Sequence, residues 1–206
     1  MNKSKSMFMG VAAGDAITTG DYNIIMGYNA GSISTDVDKT VIIGVDAGNG
    51  ALDSDADGTI AIGYAAGNAL TSGIGNVAIG YQALDAEDDG DFNTAVGYQA
   101  LTAQTGTSGT VGNTAVGYQA GATIAAGKFS TAVGYKALFS EDDGNYTTAI
   151  GYQSLYTQNG GTGTIGNTAV GISTGYHNVT GTNNTLVGLD AGYGVSGQSY
   201  SGCVFI

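Results

Sequence analysis

The residue types in this chain of 206 residues that are best suited to chemistry are carboxylates. Asp53, Asp55 and Asp57 alternate along the chain and are followed by Gly58. Alternating oxygen ligands before a glycine form the first half of a calcium-binding EF-hand loop. Tyr64 occupies the position of the bidentate glutamate, which excludes a complete EF-hand. Two alternatives remain, a shorter oxygen-ligand calcium site or a hydrated acidic turn.

A second set of carboxylates forms a Glu-Asp-Asp-Gly segment at residues 87–90 and again at 141–144. In a fold of stacked coils, a single ion could not bridge two segments that lie several coils apart. Segments of neighbouring chains could meet, but like charges repel unless a cation joins them. We therefore expect both segments to be exposed acidic loop tips.

His177 is the only histidine, and no carboxylate pair or Ser-His-Asp set recurs around it. A catalytic triad or a histidine-based metal centre needs more residues than this. An acid-only catalytic pair stays open on composition alone. The sequence predicts a protein that is not an enzyme, with no cofactor other than the calcium ion suggested by the three aspartates.

Regularly spaced hydroxyls and aromatic rings offer a different chemistry, that of an extended binding face. Threonines recur at regular intervals, at Thr94, Thr114, Thr131, Thr148, Thr168 and Thr185. A threonine rank on a flat face is typical of ice-binding proteins, but those usually carry two such ranks, and the second rank here is Val or Ile. Cross-coil stacking is the simpler account. Tyrosines at similar spacings could stack sugars, or could form half-buried packing or an interface.

These columns belong to a repeat that spans nearly the whole chain. Its clearest copies are residues 93–100 and 113–120, which both spell Asn-Thr-Ala-Val-Gly-Tyr-Gln-Ala. Its glycine, here called the marker glycine, recurs at Gly10, Gly27, Gly44, Gly63, Gly80, Gly97, Gly117, Gly134, Gly151, Gly171 and Gly188. A nearly fixed period, here about 17–20 residues, is the sequence signature of a repeat architecture. The long spacings fall on every third copy, which indicates a three-copy unit of about 53–54 residues.

A copy of about 17 residues is too short for a strand-helix-strand unit, which needs about 30. It suits two short strands and two turns that coil once per copy. We therefore predict an all-β fold, a parallel β-solenoid or β-roll of about twelve coils, each of about 17–20 residues. The array would occupy residues 7–206, after an N-terminal tail of residues 1–6. Stacking at about 4.8 Å per coil would give a rod of about 55 Å.

Side chains in a strand alternate between two faces. One face would carry the Thr, Val or Ile, and Tyr columns, and the other would carry the small Asn, Ala and Gly columns. The columns on either side of the marker glycine are predicted to form the core or an interface. They are Ile79, Val96, Val116, Val133, Ile150 and Val170 before it, and Tyr81, Tyr98, Tyr118, Tyr135 and Tyr152 after it.

Composition restricts the partners. The net charge is −12 and only five residues are basic, which argues against nucleic acid and against anionic membrane surfaces. No run of about 20 apolar residues is present, so we expect no membrane insertion. The lone Cys203 allows no disulfide within the chain.

The motif of residues 93–100 resembles the head repeat of YadA-like trimeric autotransporter adhesins, a repeat type that also occurs in bacteriophage tail fibres and related virion appendages. The family's Ser-Val-Ala-Ile-Gly hallmark is matched by residues 76–80 and 147–151. The resemblance covers the whole chain and implies a left-handed parallel β-roll that trimerises along its length. The copies are longer than the family's usual unit, and no neck, stalk or β-barrel anchor is recognisable. This favours a phage or filament protein over an autotransporter.

The sequence thus predicts a structural and adhesive rod: a homotrimeric bacteriophage appendage, either a fibre, a spike or a capsid decoration. It would take part in host attachment, on the virion or at a cell surface. Expected partners are further copies of the chain, another virion or filament protein at the rod's ends, and a cell-surface glycan or receptor. The alternatives are a self-stacking extracellular filament or bacterial adhesin and, in another class, an ice-binding or polysaccharide-degrading rod.

Overall fold

Each copy of the repeat places three apolar or β-branched residues directly before its marker glycine, a composition that favours extended structure. The computed structural model describes residues 5–105 and 109–206. Its strands are β1 (Met7–Met9), β2 (Ile24–Met26), β3 (Val41–Ile43), β4 (Ile60–Ile62), β5 (Val77–Ile79), β6 (Gly90–Asp91), β7 (Thr94–Val96), β8 (Gly109–Thr110), β9 (Thr114–Val116), β10 (Thr131–Val133), β11 (Gly144–Asn145), β12 (Thr148–Ile150), β13 (Gly163–Thr164), β14 (Thr168–Val170), β15 (Thr185–Val187) and β16 (Val204–Phe205). The described residues also contain a short 3-10 helix, Ser54–Ala56.

The strands that precede the marker glycines form one parallel sheet, in the order β1-β2-β3-β4-β5-β7-β9-β10-β12-β14-β15-β16. Each pairs with the next in the register of the repeat, so that Thr94 lies beside Thr114 and Thr114 beside Thr131. The predicted parallel β-solenoid of about twelve coils is confirmed. The prediction of two strands in every coil is wrong, because within residues 5–105 and 109–206 a second strand forms only in the pairs β6–β8 and β11–β13, and turns make up most of the other side.

The core lies against the small face of the sheet. The middle residue of each strand points inward, and it is buried from Ile25 through the alanine column to Leu186. Leucine and isoleucine side chains from the turns fill the rest of the space, among them Leu70, Leu84 and Ile124. Apolar area removed from water stabilises the fold by about 25 cal/mol per Å². The solenoid therefore gains stability with every added coil.

The marker glycine is required by both conformation and contact. Gly97 has a φ of 137°, which other residues rarely adopt. A Cβ atom built on Gly97 would lie 2.3 Å from the carbonyl oxygen of Gly117 in the next coil. The same close approach recurs along the rod, for example between Gly80 and Gly97. Conformation and contact together explain the marker from Gly10 to Gly171, while at Gly188 a φ of 122° alone favours glycine, since an added Cβ would meet nothing within 4 Å.

From Gly67 to Gly175, the turn after the marker glycine follows the three-copy period. The fourth residue after the marker has a φ near +50° and is either glycine or leucine, as at Gly121 (57°) and Leu138 (51°). Leucine is followed three residues later by a buried Glu or Gln, in the pairs Leu84/Glu87, Leu101/Gln104, Leu138/Glu141 and Leu155/Gln158. Glycine is followed by a buried apolar residue in the pairs Gly14/Ile17, Gly67/Leu70 and Gly121/Ile124. The remaining glycine copies, such as Gly175 with Asn178, follow neither pattern.

An internal ladder of polar side chains, asparagine in about half of the coils, connects the coils at the residue before each strand of the main sheet. The Asn76 Oδ1 accepts the N–H of Asn93 at 2.8 Å, and the Asn93 Oδ1 accepts the N–H of Asn113 at 3.0 Å. The Asn76 Nδ2 also donates to the carbonyl of Gly90 at 2.8 Å. These bonds satisfy buried polar groups that would otherwise cost about 1–3 kcal/mol each.

The last two residues of the predicted N-terminal tail contact the second coil. The Ser6 Oγ accepts the N–H of Asn23 at 2.9 Å, and the Lys5 Nζ donates to the Tyr22 hydroxyl at 2.8 Å. Ser6 therefore occupies the place of the asparagine ladder in the first coil. Residues 1–4 of the tail lie outside the described residues.

Candidate functional site

The outward face of the sheet carries the first and third residues of each strand. These first and third residues form the first and second ranks of the face. In β1 to β5 both ranks are apolar, and Met7 and Met9 are 54% and 58% exposed. From β7 to β15 the first rank is threonine, while the second stays Val or Ile, with Val116 at 38% exposed. The threonine rank keeps its register along the sheet. The face is thus a stripe that changes from apolar to half-polar along the rod.

The Val and Ile column therefore does not line the core, contrary to one half of the prediction. Strand alternation leaves two choices of inward face, and the coil is narrow enough that alanine occupies the inside. The column is Ile79, Val96, Val116, Val133, Ile150 and Val170, and every member is partly or fully exposed. Its predicted role as an interface stays a prediction.

A ladder of six tyrosines runs beside this stripe. Each ring stacks on the next with centroids 5.1–5.2 Å apart and planes within 8–14° of parallel. Each side chain is 42–48% exposed. We call Tyr64, Tyr81, Tyr98, Tyr118, Tyr135 and Tyr152 the tyrosine ladder. Because both faces of an internal ring touch neighbours, this ladder presents ring edges and hydroxyls rather than ring faces.

Glutamine side chains form a parallel row next to the tyrosine ladder. The Gln99 Nε2 donates to the Gln82 Oε1 at 3.1 Å, and the Gln119 Nε2 donates to the Gln99 Oε1 at 2.9 Å. Lys136 interrupts the row, and its Nζ lies 4.9 Å from the centre of the Phe139 ring and 5.8 Å from that of Tyr135. The row holds the turn residues of successive coils in register.

A second ladder, which the sequence analysis missed, occupies the fifth position after the marker glycine. Phe139, Tyr156, Tyr176 and Tyr193 stack with centroids 5.1–5.3 Å apart. His177 packs edge-on against Tyr176 and Tyr193 at 4.8 and 5.1 Å. An aromatic residue in this column in four successive copies is a signal that could have revealed the ladder.

The three aspartates of the predicted calcium loop make separate contacts. The Asp53 carboxylate accepts the N–H of Asp55 at 2.9 Å. The Asp57 Oδ1 accepts the N–H of Asp38 at 2.7 Å, and its Oδ2 lies 3.7 Å from the Lys39 Nζ. Among the described residues, no three His, Cys, Asp or Glu side chains form a group that could hold a metal ion. The calcium site stays a prediction from sequence.

Glu87 and Glu141 are not exposed loop tips, because both side chains are fully buried. The Glu87 Oε1 accepts the N–H of Gly90 at 2.8 Å and that of Asp88 at 3.1 Å. Glu141 makes the same bonds with Gly144 and Asp142. Burial raises the pKa of both carboxyls, although the backbone hydrogen bonds act in the opposite direction. Each glutamate therefore closes its own turn from the inside.

The two glutamates differ in their second oxygen. The Glu87 Oε2 lies 3.5 Å from the Asn93 Nδ2. Thr147 stands at the matching position beside Glu141, and the Glu141 Oε2 and Thr147 Oγ1 are both buried without a hydrogen-bond partner. Polar residues in a column that is apolar at Leu70 and Ile124 were the available signal for burial.

Comparison with models of known protein families, with characterised proteins and with solved structures gives no significant match for this chain. Across residues 5–105 and 109–206, no helix is long and apolar enough to cross a lipid bilayer.

Proposed function

We propose that the protein is a structural and adhesive rod that assembles with copies of itself through the outward face of the sheet. The observation that carries this proposal is the exposed stripe on the sheet, which is apolar in both ranks from β1 to β5 and keeps one Val or Ile rank from β7 to β15. Contiguous exposed apolar surface of a few hundred Å² marks interaction sites. Twelve strands at about 4.8 Å make a stripe of about 55 Å. A stripe of this length approaches the scale of the roughly 800 Å² that each partner contributes to a stable interface.

The proposed assembly is a homotrimer that forms part of a bacteriophage appendage and takes part in host attachment. The similarity of residues 93–100 to the head repeat of trimeric adhesins and phage fibres supports this choice. Contact with another virion or filament protein at the rod's ends, and a location on the virion or cell surface, belong to the same proposal. The loops that vary between coils would face outward, as binding loops on rigid scaffolds commonly do.

The mass of the protein in solution tests the assembly. Light scattering over a range of concentrations should give a fixed mass of about 61 kDa, three times the 20.4 kDa of the chain. A double variant, Ile62→Lys with Ile79→Lys, should shift the mass to that of the monomer, because two charges would enter the apolar stripe. A matched variant with two lysines at exposed turns, Thr162→Lys with Gln198→Lys, should stay trimeric.

Two outcomes would contradict the trimer. A wild-type mass of 20.4 kDa at every concentration would leave a single-chain solenoid. A mass that grows without limit as concentration rises would instead favour a self-stacking filament.

A further inference from the structure

The tyrosine ladder carries a row of hydroxyls that the fold does not use. None of its six phenol oxygens has a hydrogen-bond partner among the described residues, whereas the hydroxyls of Tyr22 and Tyr200 both do. A phenol hydroxyl is both a donor and an acceptor. The fold supports the rings from above and below and leaves the polar ends free.

The geometry of the rings restricts how this row can bind. Sugars that stack on aromatic side chains lie against a ring face. In the tyrosine ladder the rings of Tyr81, Tyr98, Tyr118 and Tyr135 are covered by a neighbouring ring on both faces. A ligand at this surface must therefore be recognised by hydrogen bonds to the hydroxyls and by contact with ring edges.

The spacing of the row indicates a polymer with a matching repeat. Successive ring centroids are 5.1–5.2 Å apart, measured from ring centre to ring centre along the ladder. An extended β-1,4-linked chain of glucose or N-acetylglucosamine advances by close to the same length with each sugar. Its equatorial hydroxyls can both donate and accept, as the phenols do. An α-1,4-linked chain coils instead and cannot keep this register.

Charge decides between polymers of similar shape. The chain carries a net charge of −12, and an anionic polysaccharide would meet overall repulsion. A neutral polymer meets none. Neighbouring glutamine amides, at Gln82, Gln99 and Gln119, add neutral polar groups to the same strip.

We propose that the tyrosine ladder binds a neutral, extended β-1,4-linked polysaccharide parallel to the rod axis, with one sugar for each coil. The inference rests on the adhesive part of the proposed function and names its partner, and it does not depend on the trimer. Cellulose and chitin share the required backbone, and the two are separated by testing each.

Co-sedimentation of the intact protein with insoluble cellulose, chitin and amylose tests the proposal. We expect retention on cellulose or chitin and none on amylose. The triple variant Tyr81→Phe, Tyr98→Phe and Tyr118→Phe keeps the stacked rings and removes three hydroxyls. Its apparent affinity should fall at least about tenfold, because three hydrogen bonds to the polymer are lost. Retention of the wild type should be insensitive to salt, because no charges take part.

A matched control removes three hydroxyls from the rod without touching the tyrosine ladder. Tyr156→Phe, Tyr176→Phe and Tyr193→Phe alter the second ladder and should leave retention unchanged. Absence of wild-type retention on both β-linked polymers, or equal retention of the two triple variants, would overturn the proposal. Light scattering of the same samples separates this result from the assembly. If the protein is a trimer but is retained on neither β-linked polymer, only the polysaccharide proposal is contradicted. A shift in mass caused by the tyrosine-ladder variant would assign these hydroxyls to the interface between copies instead.

Discussion

Two successive coils fill the same part of the core in opposite ways. After Gly117, the turn has Gly121 and the space is occupied by Ile124; after Gly134, the turn has Leu138 and the position of Ile124 is taken by Glu141. A Cβ atom on Gly121 would lie 2.9 Å from the Ile124 side chain and 3.1 Å from that of Leu101 in the preceding coil. The side chains four and seven positions after the marker glycine therefore share one volume. Leucine fits at the first position where a polar residue replaces the apolar side chain at the second.

The two turns, one with leucine and one with glycine, have different free-energy costs. Leucine at a φ of 51° bears backbone strain of about 1–2 kcal/mol. Burial of its side chain stabilises the fold by about 1.5–3 kcal/mol and offsets that strain. Glycine in the same turn avoids the strain and leaves the filling to Ile124. The comparison indicates a packing rule, in which the residue tolerated four positions after the marker glycine depends on the residue three positions later.

The largest expected effect comes from placing leucine in the wrong coil. Gly121→Leu should lower the free energy of unfolding by about 3 kcal/mol, from overpacking against Ile124 and backbone strain. Adding Ile124→Gln should recover most of that loss, because it recreates the pair found at Leu101 and Gln104. Urea denaturation of the two single variants and the double variant measures the coupling. Additive effects of the two substitutions would contradict the packing rule.

An intermediate effect is expected from removing the buried charge at Glu141. Burial raises the pKa of Glu141 in the folded chain, while the unfolded chain keeps the ordinary value. Between the two values the folded state binds more protons, so stability falls as pH rises through that window and stays lower above it. At neutral pH, Glu141→Gln should be about 1 kcal/mol more stable than wild type. Lowering the pH should stabilise the variant less than it stabilises wild type.

Denaturation curves at several pH values from acidic to neutral check this prediction. Gln104 and Gln158 already occupy the same position in other coils, so the substitution suits the fold. Gln158→Glu offers a converse control, and it should lose stability as pH rises. An unchanged pH profile in Glu141→Gln would show that the carboxyl is ionised in the fold at no cost.

The smallest expected effect tests the difference between Glu87 and Glu141. Thr147→Asn would supply the amide that Asn93 offers to Glu87, and would remove the two unpartnered buried atoms. We expect a gain of about 0.5–1 kcal/mol at neutral pH and a lower pKa for Glu141. Thermal unfolding and a carboxyl titration by NMR measure the two quantities. A loss of stability would mean that the site has no room for the larger side chain.

Much of the fold could be predicted from the sequence, but the residues that matter inside it could not. The repeat of Asn-Thr-Ala-Val-Gly-Tyr-Gln-Ala predicts the coil length and the register that pairs Thr94 with Thr114. The same repeat left the Val and Ile column as core or interface, whereas the alanine column lies inside. The acidic turns at 87–90 and 141–144 suggested exposed tips, whereas Glu87 and Glu141 are buried. Whether a side chain is exposed depends on the neighbouring coils that cover it, and the local sequence pattern does not describe those neighbours.

The sequence by itself determined the stacking, because the marker glycine and the residues around it recur every 17–20 residues, and this repetition copies one coil along the chain. Only the tertiary structure decided which face points inward, because strand alternation offers two faces of nearly equal apolar character. The narrow coil settled the choice, since its interior has space for alanine and for leucine or isoleucine from the opposite turn. The larger Val, Ile and Tyr columns consequently lie outside, where they are available for binding.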